Sequence, residues 1–540
     1  MTEATAHLVP VYTGEQIRAA EKPLLDAGHG PGLMRRAAYG LAQHCAGLLK
    51  GWVYGAGITG LIGSGNNGGD GLWALAFLAR RGAAARAVLV RDTAHQAALE
   101  EFLTAGGQLV EAVPADTEVL IDAVLGTGFR GEFSTPEVPG LAELLKTRDD
   151  AAQPPVLVAC DLPSGVNADT GAAGPGVLPA DCTVTFGGLK QGLLAGRGGL
   201  LSGQLETVDI GLGEHLPKTV VQYASGPAQH SGPAPADHKY SRGVVHIVAG
   251  SPSYPGAAQL TAGAAISTGT GMVTLHAPAE VRELVIAACP EVVAVPEHAG
   301  QEAMGRADCV VVGPGIGSEE PSLQRAEAAL EQVLDSGTSC VLDASALTLI
   351  PSLLRRRGGL NKNVLITPHL GEARKLAAAM RDRLLTKMLD SDSASADPVE
   401  AARRIAGRLD CTVLLKGATT VIASPQAEAI LHRAQAPGLA TAGTGDVLSG
   451  ILGALAATVP VPVVDGARSS FGRVQRPRPS HLKPVGPSFA PEADWMHLAA
   501  LGVGLHTAAA QQIDPGGRGR FGASQLVTAL HPAAGQPAGR

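Results

Sequence analysis

At 540 residues the chain is too long for one ordinary core, and its length allows roughly three domains of about 150 residues or two large α/β ones. With 45% apolar and 17% charged residues it has the composition of a globular protein, neither disordered nor fibrous. A net charge of -7 gives no basic face for phosphate neutralisation, which argues against a nucleic-acid binder.

In chain order, the start carries Glu3 and no basic stretch followed by an apolar one, so no secretory leader is expected. Apolar runs at 58–62, 88–90, 119–121 and 155–159 alternate with helical patterns such as 71–81, the rhythm of βαβ units on a parallel sheet. Residues 217–238 gather Pro, Gly, Ser, Ala and Gln without periodicity and are the best linker candidate. The rhythm resumes with runs at 244–248, 310–312, 340–342, 364–367 and 413–415. Residues 447–464 are apolar but broken by Pro460 and Pro462, so a core helix and its exit are expected rather than a membrane span. A basic stretch at 460–491 has no acid between Asp465 and Glu492; a solvated loop is the plain reading and an anion or partner contact the sharper one.

Aromatic residues make up only 3%, so the cores must be built from small aliphatic side chains. Seven cysteines lie scattered with no C-x-x-C pair, which points to reduced thiols in a cytoplasmic protein.

The first motif is Gly63-Ser64-Gly65-Asn66-Asn67-Gly68-Gly69-Asp70-Gly71, set between a strand run and a helical one. Glycines admit a ligand close to the backbone, and a helix start attracts an anion. Side-chain oxygens of Asn66, Asn67 and Asp70 add possible contacts to a cation or a ribose. Two more strand ends carry acids before flexible loops: Asp122, leading to Gly126-Thr127-Gly128-Phe129-Arg130, and Asp161, leading to Ser164-Gly165. Each acid alone is more often a helix cap than a catalyst, but ligands of open α/β sheets bind beyond such strand ends, and the three together favour a site.

Over roughly residues 10–215 the chain resembles the YjeF N-terminal family, the NAD(P)H-hydrate epimerases. The resemblance implies a Rossmann-like, three-layer α/β/α domain that equilibrates the R and S epimers of hydrated NAD(P)H, with a potassium ion in the site. It implies that Asn66, Asn67, Gly68, Gly69, Asp70, Gly126, Thr127, Gly128, Phe129, Arg130, Gly131, Glu132 and Asp161 bind the hydrate. Asn67, Asp122 and Ser164 would meet the ion, and Asp161 would be the catalytic carboxylate. Lys190 is either a second acid/base group or an ordinary solvated lysine.

The second motif is Gly438-Leu439-Ala440-Thr441-Ala442-Gly443-Thr444-Gly445-Asp446, running into an apolar helix. Backbone N–H groups from Gly443 to Asp446 can form an anion hole for a transferring phosphoryl group, and Asp446 can accept a proton from an attacking hydroxyl or merely cap its helix. Gly313-Pro314-Gly315, Thr367-Pro368-His369 and Lys416-Gly417-Ala418-Thr419-Thr420 follow other strand runs. His369 is as easily structural as ligand-binding.

Over about 236–535, interrupted by the basic stretch, the chain resembles the YjeF C-terminal family, the NAD(P)H-hydrate dehydratases. That implies a ribokinase-like α/β domain in which ADP phosphorylates the C6 hydroxyl and phosphate then leaves. Lys416, Gly417, Ala418, Thr419, Thr420, Ala442, Gly443, Thr444 and Gly445 would bind the nucleotide, with Mg2+ on its phosphates. Ala258, Gly315, His369 and Asp446 would face the hydrate. The family's Asp-Ala-Asp-Ala-Leu run stands here as Asp343-Ala344-Ser345-Ala346-Leu347, and Ala523-Ser524-Gln525 replaces Ala-Ser-Asp.

The expectation is therefore an epimerase domain at 1–216, a linker at 217–238 and a dehydratase domain at 239–540. Its partners would be NAD(P)H hydrates and ADP, with no nucleic acid and no membrane, in a homo-oligomer. The rival reading is a ribokinase-like small-molecule kinase with a non-catalytic N-terminal binding module.

Overall fold

The computed structural model describes residues 8–148, 154–220, 222–228, 237–390, 396–426, 428–458 and 494–530. It divides into two compact units: Pro10–Gln222 with Asp390–Pro398, and Tyr223–Leu389 with Val399–Arg540 and Met1–Val9. The basic stretch 460–491 lies outside the described residues.

In the N-terminal unit seven parallel strands lie in the order Gln108–Leu109, Ala84–Leu89, Gly57–Ile62, Val119–Ala123, Val156–Cys160, Cys182–Phe186 and Gln204–Val208. The central strands are buried on both faces, so they read as mostly apolar runs, interrupted by the buried Thr59 and Asp122, rather than as alternating ones. Successive side chains divide between two cores: Ile58, Ile62, Val119, Ile121 and Val158 join one, with helices Gly30–Leu48 and Asn66–Arg80. Leu61, Leu120 and Leu157 join the other, with Leu141 and Leu144 of helix Leu141–Thr147. This alternation makes the unit a three-layer α/β/α sandwich.

In the C-terminal unit the sheet runs Val293–Ala294, Met272–His276, Val244–Val248, Cys309–Val312, Ser339–Leu342, Val364–Ile366, Thr412–Leu415, Thr419–Ala423 and Ala429–Arg433. It is parallel until the last two strands, which return antiparallel. Helix Thr444–Thr458 is apolar on every side because it is buried on every side, with Leu448, Ile451, Leu452 and Leu455 all enclosed. Each such leucine or isoleucine contributes about 1.5–3 kcal/mol. Small residues let this helix approach Pro255–Ser267 closely: a Cβ on Gly450 would run into the carbonyl of Thr261.

Two expectations need amendment. The stretch 217–238 is not all irregular: Gln222–Ser225 forms a strand beside Ala429–Arg433, with Ser225 Oγ 3.0 Å from His432 Nδ1. Four residues with two polar side chains are too short and too mixed to show a period. The expected 364–367 strand stops at Ile366, because the Thr367 side chain turns to Asp343. No described helix is long and apolar enough to cross a membrane; the apolar run beginning at 447 lies in helix Thr444–Thr458 as far as it is described.

Candidate active sites

In the N-terminal unit, strands Gly57–Ile62, Val119–Ala123 and Val156–Cys160 are neighbours pointing the same way, so their carboxyl ends bring the first motif, Asp122 and Asp161 together. Helix Asn66–Arg80 begins inside the motif, so Asn66 and Asn67 occupy its first turn and Asp70 its second, rather than a loop. Most of the glycines serve packing more than ligand approach. A Cβ on Gly68 would strike the Gly63 carbonyl, one on Gly63 would strike the Val124 carbonyl, and one on Gly71 would lie 2.6 Å from Ala123 Cβ. Beside Gly65 there is open space, and it caps the helix without a side chain, so the free amides there are the ones open to an anion.

Asp122 is buried, and its carboxylate accepts from Ser164 N at 2.8 Å, Ser164 Oγ at 2.6 Å and Val124 N at 3.4 Å. Burial pushes its pKa up, and the Ser164 bonds oppose the rise. Asn67 packs under Gly126, with a buried amide nitrogen that has no partner among the described residues.

Asp161 caps no helix. It follows its strand with φ +68°, an unfavourable backbone for a non-glycine residue. Its Oδ1 accepts from Lys190 Nζ at 2.6 Å, Phe186 N at 3.2 Å and Thr185 Oγ1 at 3.2 Å. Lys190 is not a solvated lysine: it is 1% exposed, and its remaining donors go to Thr185 Oγ1 and the Phe186 carbonyl, both at 2.9 Å. Two acids face this pair. Asp70 is pushed well above the usual carboxylate range by burial first and by the charges of Asp161 and Glu21 next. Glu21, on helix Gly14–Asp26, is raised by the same kinds of cause.

Glu21 escaped the sequence reading because it lies in an ordinary amphipathic helix. So did Arg18 of the same helix, whose Nη1 donates to the Thr127 carbonyl at 2.7 Å and pins the loop 126–132. In that loop Gly126, Thr127 and Phe129 are half-buried while Gly128, Gly131 and Glu132 are exposed. The Arg130 guanidinium is committed to Asp169 at 2.7 Å, which leaves mainly backbone for a ligand there.

In the C-terminal unit, Asp446 lies in the first turn of its helix with no hydrogen bond to its carboxylate among the described residues, so it is not acting as a cap. Burial and then the charge of Asp343 push its pKa up to about 6, against the pull of Lys416. Gly443 has φ +90°, as the turn into the helix requires. The Thr444 hydroxyl is spent on the carbonyls of Leu439 and Thr441, and its amide meets Thr441 O at 3.3 Å. The amides of Gly445 and Asp446 have no carbonyl a turn earlier in the helix and remain for an anion; Ala442 is exposed beside them.

Lys416 ends strand Thr412–Leu415, Gly417 and Ala418 make the exposed turn, and Thr419 and Thr420 open the antiparallel return strand. Lys416 is no free surface lysine: its Nζ lies 2.7 Å from Asp343 Oδ1. His369 is both cap and candidate ligand. Its Nδ1 accepts from Gly371 N at 2.9 Å and Glu372 N at 3.3 Å, which puts the ring proton on Nε2 of a side chain 58% exposed. Gly315, with φ +65°, is pressed against the start of helix Pro255–Ser267, where a Cβ would lie 2.5 Å from Ala257 Cβ. Ala258 is fully buried, so its side chain does not face a ligand. Of the two departures, Ser345 is half-buried in the 3-10 turn Ala344–Leu349, and Gln525 Oε1 accepts from Gly522 N at 2.8 Å, capping helix Ala523–Ala529.

Residues 31–192 match the family model described as YjeF-related protein N-terminus, and residues 245–467 match the one described as NAD(P)H-hydrate dehydratase. The chain is 41% identical over 452 residues to the bifunctional NAD(P)H-hydrate repair enzyme of Mycobacterium tuberculosis, covering 83% of this chain and 89% of that protein. It is 40% identical over 456 residues to the Mycobacterium leprae counterpart, with the same shares. The Escherichia coli enzyme of that name is 32% identical over 451 residues, 80% of each chain.

Proposed function

The chain belongs to the bifunctional NAD(P)H-hydrate repair enzymes, an isomerase joined to a lyase, and from that premise we propose how its residues divide the two reactions. The N-terminal unit interconverts the R and S hydrates. Opening the C6 hemiaminal takes a proton from the hydroxyl and delivers one to the ring nitrogen, and reclosing on the other face reverses both transfers. Asp161, hydrogen-bonded to Lys190, accepts the first proton; Asp70, whose burial favours its protonated form, supplies the second. The first-turn amides after Gly65 and the backbone of 126–132 orient the hydrate. Asn67, Asp122 and Ser164 fit a potassium ion: they gather a carboxylate, a hydroxyl and an amide with one unpartnered buried atom, and the amide's oxygen and nitrogen exchange places by a simple flip. A monovalent cation there supplies positive charge against the acids of this site.

The C-terminal unit dehydrates the S form. Asp446 takes the C6 hydroxyl proton as that oxygen attacks the terminal phosphorus of ADP, the bridging P–O bond breaks and AMP leaves. The Gly445 and Asp446 amides with the Lys416 ammonium receive the charge on the transferring group. Phosphate then leaves C6, a proton leaves C5, and the reduced nicotinamide ring is restored. His369 would donate from Nε2, now 3.6 Å from Glu372 Oε1, to the hydrate. Mg2+ carried on the nucleotide's phosphates would supply further charge neutralisation there. This division displaces the lone-kinase reading.

The observation that carries the proposal is the unbonded, half-buried Asp446 carboxylate beside free helix amides. The test uses purified R and S hydrates of NADH with ADP. D446N stops recovery of the reduced-nicotinamide absorbance from both epimers, whereas D161N stops it from R and spares S. Recovery from S at the wild-type rate in D446N overturns the assignment. A cytoplasmic setting and self-association belong to the same proposal; all seven cysteines are free, as a reducing compartment keeps them, and light scattering tests the second point.

A further inference from the structure

Asp343 ends strand Ser339–Leu342 and is 1% exposed, yet it is held by side chains from three other places in the fold. Its Oδ1 accepts from Lys416 Nζ and Thr367 Oγ1, both at 2.7 Å, and its Oδ2 accepts from Ser449 Oγ at 2.8 Å. The two hydroxyls leave the carboxylate no freedom to rotate. Lys416 differs: its side chain keeps 21% exposure, and a Cβ built on Gly445 would lie 3.4 Å from its Nζ. Its ammonium therefore rests on the first turn of helix Thr444–Thr458, with one of three donors given to Asp343 among the described residues.

We propose that Asp343 is a positioning residue for phosphoryl transfer: it fixes the Lys416 ammonium against the first turn of helix Thr444–Thr458, where the migrating phosphoryl group arrives. A lysine on a four-carbon stem otherwise spends its time in solvent, and a flexible cation gives little advantage in the transition state. Tied to an immobile carboxylate, it waits in place with its other donors turned outward. The anchor's charge acts on Asp446 too, since Asp343 raises the pKa of that carboxyl more than Lys416 lowers it. The inference rests on the phosphoryl-transfer reading of this site.

The experiment is a double-mutant cycle on the full chain with D343N, K416Q and D343N/K416Q, read by S-hydrate turnover against pH and by calorimetric ADP binding. D343N is expected to lose about 10–100-fold in kcat/KM, and the same change made in K416Q to lose less than about 2-fold, since the role passes through the lysine. ADP affinity follows the same non-additive pattern, and the acid limb of D343N moves to lower pH as a like charge is removed from Asp446. Equal losses with and without Lys416, or an unmoved limb, reduce Asp343 to a structural tie and overturn the proposal. If D343N does not fold, T367V removes one hydroxyl clamp and keeps the ion pair; a loss of about 3–10-fold that vanishes in K416Q supports the proposal, and one that persists overturns it. A wild-type chain that fails to restore NADH defeats the functional reading instead, while the binding cycle still decides the role of Asp343.

Discussion

Both units set a strand-end aspartate against a lysine, but the two pairs are built for opposite ends. At Asp161–Lys190 the lysine is closed in, 1% exposed, with its donors consumed by Asp161, Thr185 and Phe186, so its effect falls on the carboxylate. At Asp343–Lys416 the aspartate is closed in and the lysine keeps 21% exposure, so the effect falls on whatever the lysine meets. The contact is the same, but both partners are buried in the first pair and only the aspartate in the second, which decides whether the lysine is spent inside the site or presented to a ligand. The reactive carboxylates show the consequence: Asp161 has a cation on it, while Asp446 has no hydrogen bond to its carboxylate among the described residues and a raised pKa.

The sharpest way to break this comparison is to remove each lysine. Lys190→Met leaves a buried carboxylate without its cation, expected to cost about 3–5 kcal/mol in stability and about 10²–10⁴-fold in R-hydrate conversion. Lys416→Met strips the cation from the buried Asp343 and is likewise expected to lower the melting temperature, but it is also expected to weaken ADP binding, which Lys190→Met leaves unchanged. Calorimetric ADP binding together with epimer-resolved turnover separates the cases; equal loss of ADP affinity in the two variants would sink the distinction.

How much of this was legible in the sequence follows the same line. Apolar runs gave strands ending within a residue or two of 57–62, 119–123, 244–248 and 412–415, because a strand buried on both faces stays mostly apolar even where it carries a Thr59, Asp122, His246 or Thr412. The loops at Asp122, Asp161 and Asp446 were legible because each joins glycines and an acid to an apolar run, although each acid alone also reads as a helix cap. What stayed hidden was tertiary. Lys190 could not be told from a surface lysine, since its burial depends on Asp161, 29 residues earlier. Arg18 meets Thr127 across 109 residues, and Ser449 looked like one small helix residue among many. Gly63 and Gly68 read as ligand-contacting, but a glycine demanded by neighbouring backbone has the same letter as one demanded by a phosphate.

A second test asks whether the units respond to acid in opposite directions. The C-terminal unit buries His246, His432 and His506, with pKa values lowered to about 3, 4 and 4 chiefly by burial. Between those values and about 6.5 the unfolded chain binds protons that the folded unit refuses, so stability falls as pH drops through that window. Asp343, whose pKa is lowered by Lys416 and its hydrogen bonds despite burial, acts in the same direction. In the N-terminal unit Asp70, Asp122 and Glu21 are raised, so there the folded state binds more protons and these groups lose stability as pH rises above about 4. Hydrogen exchange resolved by unit at pH 7 and pH 5 is expected to show protection lost in the C-terminal unit by about 2–4 kcal/mol, with none lost from these acids in the other. Parallel losses in both units would contradict the assignment. The same asymmetry places the acid limb of S-hydrate dehydration in the free enzyme near pH 6, where Asp446 ionises.

The smallest effect probes how firmly the cation-presenting site is supported. Gln525 stands where the family favours aspartate, and it does a cap's work from the third position of helix Ala523–Ala529 by accepting the Gly522 amide at 2.8 Å. That helix start also supports the phosphoryl-transfer loop, since a Cβ on Gly443 would lie 3.0 Å from Ala523 Cβ. Gln525→Ala is therefore expected to cost about 0.5–1 kcal/mol and to lower dehydration by less than about 3-fold, with R-to-S conversion untouched. Gln525→Asp, a shorter side chain that reaches less far back toward Gly522, is expected to fall between the two. Were Gln525→Ala to abolish dehydration at unchanged stability, Gln525 would be a ligand-contacting residue, and the support for Gly443 would have to come from Leu260, its other close neighbour.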